Sequence, residues 1–181
     1  MKKALKFSGL VALILGAVAL VLMMATHALV ASSSGTLSTD AWYSGIAVIF
    51  GNGPAKATAG IGGVISIGGE GKFEGTLAWN ALLGWIFTLV AIVIVLLGVV
   101  LPLLNVKALE KFSGILNLVA IALFAVGGVL LFFTVPAFGA ANEWNSTDGW
   151  GLGAGWVIAA ILNLVAAACA ALPVVGQLLK K

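Results

Sequence analysis

The side chains able to do chemistry are few and scattered. His27 and Cys169 are the only histidine and cysteine, and the acids are Asp40, Glu70, Glu74, Glu110, Glu143 and Asp148. A hydrolytic triad needs a nucleophile, a histidine and a carboxylate held together, and no serine here has such neighbours in a recognisable spacing. A metal centre needs three or four ligands, which one histidine and one cysteine do not supply. Cys169, without a disulfide partner, reads as a small apolar packing residue. His27 reads as an interfacial histidine bonding backbone or water rather than as a pH sensor. The glycine run at 149–155 lacks the Gly-Lys-Ser/Thr that completes a phosphate loop. No catalytic residue, no cofactor and no metal is expected, and the chain is not expected to be an enzyme.

Asn145-Ser146-Thr147 is a formal glycosylation sequon, usable only in a eukaryotic secretory route. The lysine-rich, arginine-free composition reads as bacterial. Well inside the apolar segments, Asn117 and Asn163 are the strongly polar groups, and each is expected to make an interhelical amide bond. Proton relays, coupled transporters and voltage sensors place charges at such depths. None is present there, so those mechanisms lose their support.

The elements that carry these residues are long apolar runs. The chain is 62% hydrophobic and 8% charged, against about 25% charged in soluble proteins. About 20 apolar residues cross the hydrocarbon core, and four runs qualify, at about 7–31, 77–104, 112–136 and 150–174. The expected fold is a single four-span membrane domain over 1–181, a transmembrane four-helix bundle. Lys2, Lys3, Lys6, Lys107, Lys111, Lys180 and Lys181 flank the same ends of these spans, against Lys56 and Lys72 on the other side. That bias predicts a cell-membrane protein with both termini cytoplasmic. The basic balance therefore reports topology, not nucleic-acid binding. Span one is expected to be retained rather than cleaved as a signal peptide.

Internal echoes organise the spans. Lys-Ala-Leu-Lys-Phe-Ser-Gly at 3–9 returns at 107–114 with one residue inserted. Gly84-Trp85-Ile86 and Leu101-Pro102-Leu103 return as Gly155-Trp156-Val157 and Leu172-Pro173-Val174, at a constant offset of 71. The pattern predicts two tandem helical hairpins. Spans two and three, joined by a tight turn at 105–111, are then antiparallel neighbours. Pro102 and Pro173 are expected to kink or end spans two and four. Trp79, Trp85, Trp144, Trp150 and Trp156 read as boundary anchors.

The outer loop at 32–76 has strand and turn chemistry, while that at 137–149 is short. Residues 42–50 have the aromatic and β-branched content of a strand, Gly51-Asn52-Gly53-Pro54 reads as a turn, and 58–69 reads as a second strand. A turn at 68–71 and a short strand at 72–74 complete a three- or four-stranded antiparallel extracellular sheet. Its edges carry little protection beyond Pro54 and Lys72. Trp42, Tyr43, Ile46, Val48, Phe50, Ile61, Val64, Ile65, Ile67 and Phe73 are the expected interaction surface. In span four, Gly151, Gly155, Ala159, Asn163, Ala167 and Ala171 recur every fourth residue, a helix-packing row that lets backbones approach closely in lipid.

This layout, with Trp42 in the first outer loop, resembles the claudin-like tetraspan proteins, although their Gly-Leu-Trp and cysteine pair have no counterpart here. The resemblance implies a left-handed four-helix bundle and self-association or partner binding through the outer sheet, without catalysis. Residues and resemblance converge on a structural or assembly protein, a homo-oligomer or the partner of another membrane protein, with the lipid bilayer around it and no nucleic acid. The alternatives are an oligomeric pore, for which Thr88, Asn117, Thr134 and Asn163 are the available polar lining, and an accessory subunit of a larger complex.

Overall fold

The computed structural model describes residues 2–33, 37–61, 65–100 and 107–178. Val64, Pro102, the turn residues 105–106, Lys180 and Lys181 lie outside the described residues. In chain order the elements are α1 (Lys2–Ala25), β1 (His27–Ser33), β2 (Leu37–Ser44), α2 (Gly45–Phe50), β3 (Asn52–Ile61), β4 (Ile65–Glu74), α3 (Trp79–Val100), α4 (Lys107–Phe132), α5 (Thr134–Ala141), β5 (Trp150–Leu152) and α6 (Ala154–Leu178). Contacts divide the chain into two compact units, one of residues 1–20, 84–129 and 159–181 and one of residues 21–83 and 130–158.

The first unit is all helix, with small side chains inside and large ones outside. Ala12, Ala91, Ala120, Ala166, Ala167 and Ala170 pack around Val95 and Phe124. Phe7, Ile14, Val93, Leu96, Ile115, Leu118 and Ile161 are exposed. In water each such side chain would forgo about 1.5–3 kcal/mol of burial, whereas in lipid it forgoes nothing. Four helices, over Phe7–Ala25, Trp79–Gly98, Gly114–Phe132 and Ala154–Leu172, are long and apolar enough to cross a membrane. Length, composition and this inverted size distribution together describe a helical membrane protein.

Glycine sets the closest helix approaches. A Cβ on Gly16 of α1 would lie 2.7 Å from the Phe124 ring of α4. One on Gly128 of α4 would lie 2.9 Å from the Ala160 carbonyl of α6. The row in span four faces these neighbours of its own chain: Ala159 and Asn163 are fully buried and Ala167 nearly so, while Ala171 is half-buried. Gly151 does not belong to the row. It lies in β5, because α6 begins only at Ala154.

In the second unit the strands form one antiparallel sheet in the order β4-β3-β2-β1-β5. Several expected boundaries move. Span one was expected to run to residue 31, but α1 stops at Ala25, where Thr26 bonds back to the Leu22 carbonyl through both its amide and its hydroxyl. The apolar residues that follow pair with β2 on one side and β5 on the other. Residues 42–50 are not one strand. Ser44 caps a short helix, its hydroxyl accepting from the Ala47 amide, and Gly51 closes that helix in the left-handed region at φ 72°. β-Branched residues here fill a buried helix face, so tertiary packing overrides their strand preference. Strand β3 then begins at Asn52, inside the expected turn.

Residues 68–71 continue β4 rather than turning, with Gly68 at φ 111°. Pro54 is not on a sheet edge. It lies in β3, opposite Lys72 of β4 and just before the pairing with β2 starts at Ala55, where one missing amide is tolerated. The expected third span, to residue 136, breaks at Phe133. Pro136 sits in the first turn of α5, where its absent N–H is not needed. Strand β5 makes the sheet five-stranded and brings the second loop into it. At the far end α6 passes through Pro173 to Leu178 without stopping.

Gly128→Val would force a branched side chain against the Ala160 carbonyl. The expected cost is about 1–3 kcal/mol, read as a lower unfolding midpoint in detergent. Gly114→Ala, where an added Cβ meets nothing within 4 Å, leaves the midpoint unchanged or slightly higher.

Candidate functional site

Period-two alternation gives the sheet two unlike faces. The register runs Trp150–Ala31–Ala41–Ala57–Gly69 in one row, and Ser33–Thr39–Ala59–Ile67 and Leu29–Tyr43–Ala55–Gly71 in the rows beside it. These rows share one face, which carries no charged residue. The opposite face has Val30–Trp42–Lys56–Glu70 and Ser32–Asp40–Thr58–Gly68. There Lys56 bonds Asp40 at 2.6 Å and Lys72 bonds Glu74 at 3.0 Å. His27, exposed at the start of β1, stacks on Trp42 with ring centroids 4.1 Å apart.

Half of the apolar face is covered from within the chain. Tyr43 lies 5.0 Å from Phe73, 5.1 Å from Phe138, 5.4 Å from Trp150 and 5.9 Å from Trp144, measured between ring centroids. Contacts of this kind are each worth about 0.5–1.5 kcal/mol beyond the area they bury. Asn142 ties the adjoining chain down, its amide donating to the Thr76 carbonyl and its oxygen accepting from the Thr76 amide. Trp156 is fully buried and donates to the Met23 carbonyl at 3.0 Å, so it is a packing residue rather than a boundary anchor.

Among the described residues the other half of the face is open. Ala31, Ala41, Ala57, Ala59 and Ile67 floor a groove of about 440 Å³, with Ser33 and Thr39 at one end and Asp148 and Trp150 along the rim. Ile67 is 69% exposed. An alanine floor leaves the backbone close to whatever lies on it.

The structure scatters the expected surface residues. Tyr43, Ile67 and Phe73 share the apolar face, and Trp42 stands on the charged one. Val48 is fully buried on α2 and cannot present a surface, while Ile46 and Phe50 of the same helix are partly exposed. Ile61 and Ile65 pair with each other at the far end of β3 and β4. The groove's alanines were not anticipated. Their signal was present in Ala55-Lys56-Ala57-Thr58-Ala59, an alternation of period two that small side chains make faint.

The polar groups of the helices are internal. Thr88 donates to the Gly84 carbonyl at 2.8 Å and accepts from the Asn163 amide at 3.0 Å. Thr134 donates to the Leu131 carbonyl at 2.8 Å. All three residues are fully buried. Asn163 thus bonds Thr88, not Asn117, whose side chain lies beside Gly98. Among the described residues no three His, Cys, Asp or Glu side chains converge on a point that could hold a metal. No protein-family model matches the chain, and no characterised protein matches it in sequence.

Two ionisable groups on the sheet are shifted in the same direction. The hydrogen bond to Asp40 and its negative charge hold the Lys56 ammonium above the usual 10.5, and burial raises the Tyr43 phenol above 10.0. Both folded-state pKa values are raised, so both contributions are complete below the unfolded values and fade as pH rises beyond them. Tyr43 is the sole tyrosine, so tyrosinate absorbance reports it alone. The native protein is expected to titrate with a midpoint above 10.0, and the unfolded chain at the ordinary value.

Proposed function

We propose that this is a non-enzymatic structural or assembly protein of the cell membrane, which self-associates or binds another membrane protein through its sheet. The observation that carries this reading is the uncovered half of an otherwise packed apolar sheet face, with Ile67 standing out of it. Exposed apolar surface of this kind marks an interaction site. The lysines at 2, 3, 6, 107, 111, 180 and 181 support cytoplasmic termini and, with them, an outer sheet. The helix polar groups support a scaffold over a pore, since Thr88, Thr134 and Asn163 are buried, both threonines bond backbone and the Asn163 amide donates to Thr88, while the Asn163 oxygen has no partner among the described residues. The resemblance to claudin-like proteins belongs to this reading as an architectural parallel.

Two measurements test it. Asn145→Cys in a Cys169→Ala chain is expected to react with an impermeant maleimide in intact cells, and labelling only after lysis would reverse the topology. In lipid nanodiscs the protein is expected to be multimeric or to retain a partner, and liposomes carrying it are expected to hold a solute gradient. Ile67→Asp, at an exposed site, should change stability by no more than about 0.5 kcal/mol while weakening association about tenfold. A strictly monomeric protein without a partner, or one that makes liposomes leak, would overturn the reading.

A further inference from the structure

Strand β4 is the long edge of the sheet, ten residues whose outer side meets no strand among the described residues. Unpaired edges of this length invite a further strand, and proteins commonly defend them with charges that repel a copy of themselves. The charges of β4 do the opposite. Glu70, Lys72 and Glu74 alternate in sign on one face, and that order is self-complementary when the strand is laid antiparallel on itself. We propose that a second copy of this chain docks edge to edge on β4, antiparallel, about a two-fold axis passing through Gly71. This rests on the self-association proposed above and names its contact.

The register follows from the charges. With the axis at Gly71, Glu70 of each copy lies opposite Lys72 of the other, giving two cross-strand ion pairs by symmetry. An axis at residue 70 sets Glu70 against itself. An axis at residue 72 sets Lys72 against itself and Glu70 against Glu74, and both arrangements are repulsive. An axis at residue 69 brings no opposite charges together, and one at residue 73 overlaps little of the strand. On the apolar face the same register puts Phe73 of one copy opposite Gly69 of the other. A Cβ on Gly69 or Gly71 would meet nothing within 4 Å, so the glycines leave the approach of a second backbone unobstructed, while Phe73 keeps its place against Tyr43 and Phe138. The axis is normal to the sheet, so the apolar face of one copy continues into that of the other.

Cysteine crosslinking in membranes tests the contact with the full chain. Gly71→Cys in a Cys169→Ala background places two thiols opposite each other on the axis, and is expected to give a disulfide-linked dimer on mild oxidation. Gly69→Cys, opposite Phe73, is expected not to crosslink. Adding Lys72→Glu to Gly71→Cys turns both ion pairs repulsive and should cut the linked fraction about tenfold. Glu70→Lys together with Lys72→Glu restores the attraction and should restore the link. A multimer in nanodiscs whose Gly71→Cys form does not crosslink, or crosslinks without regard to charge, overturns the β4 contact and leaves self-association standing. A monomer that gives no link removes both.

Discussion

Close approach of backbones at small residues is the constraint on which the structure depends. Lipid offers no hydrophobic drive to bring helices together, so contact must come from dispersion between surfaces that fit. Alanines on α1, α3, α4 and α6 supply that fit, with Phe124 as the one large ring among them. Gly16 and Gly128 mark where no Cβ can be added without moving a neighbour. The second unit uses the same device: Gly45 abuts the Met23 carbonyl and Gly153 the His27 carbonyl, with no room for a side chain at either.

A side-chain bond ties two of the alanine-lined helices together. The hydroxyl of Thr88 is shared between its own helix and the Asn163 amide, which ties α3 to α6 at a defined rotation. Bonds of this kind are worth only about 0.6–2 kcal/mol, so the pair specifies an orientation more than it holds the helices together. The sheet is tied differently, by rings. Tyr43 on β2 gathers Phe73, Phe138, Trp144 and Trp150 from four other places in the chain. The same alternation that puts Tyr43 into that cluster puts Ala41 and Thr39 further along the same face, in the groove left open among the described residues. Covered and open halves are therefore one feature, a face longer than the segment available to pack on it.

The charges of the sheet lie on the face opposite the open half. Asp40, Lys56, Glu70, Lys72 and Glu74 all project away from it, so solvent has its own side of the sheet. One face without charge, and one that carries the charges, divide the five strands between them.

What could be read from the residues was whatever depends on composition and on long runs. Four membrane helices follow from apolar length alone, and a sheet between the first two follows from turn residues and alternation. The lack of charged residues within the four apolar runs is likewise legible in the residues alone. What could not be read was every assignment that depends on a distant neighbour. Residues 45–50 are equally apolar as strand or helix, and the Ser44 cap and the packing of Val48 decide for helix. Residues 28–31 fit a helix end as well as a strand, and their pairing with β2 and β5 decides for strand. Gly151 fits a row of small residues by spacing, yet its backbone bonds belong to Val30's strand. The physical reason is common to all three. Short apolar segments satisfy either period, and only hydrogen-bond partners far along the chain select one of them.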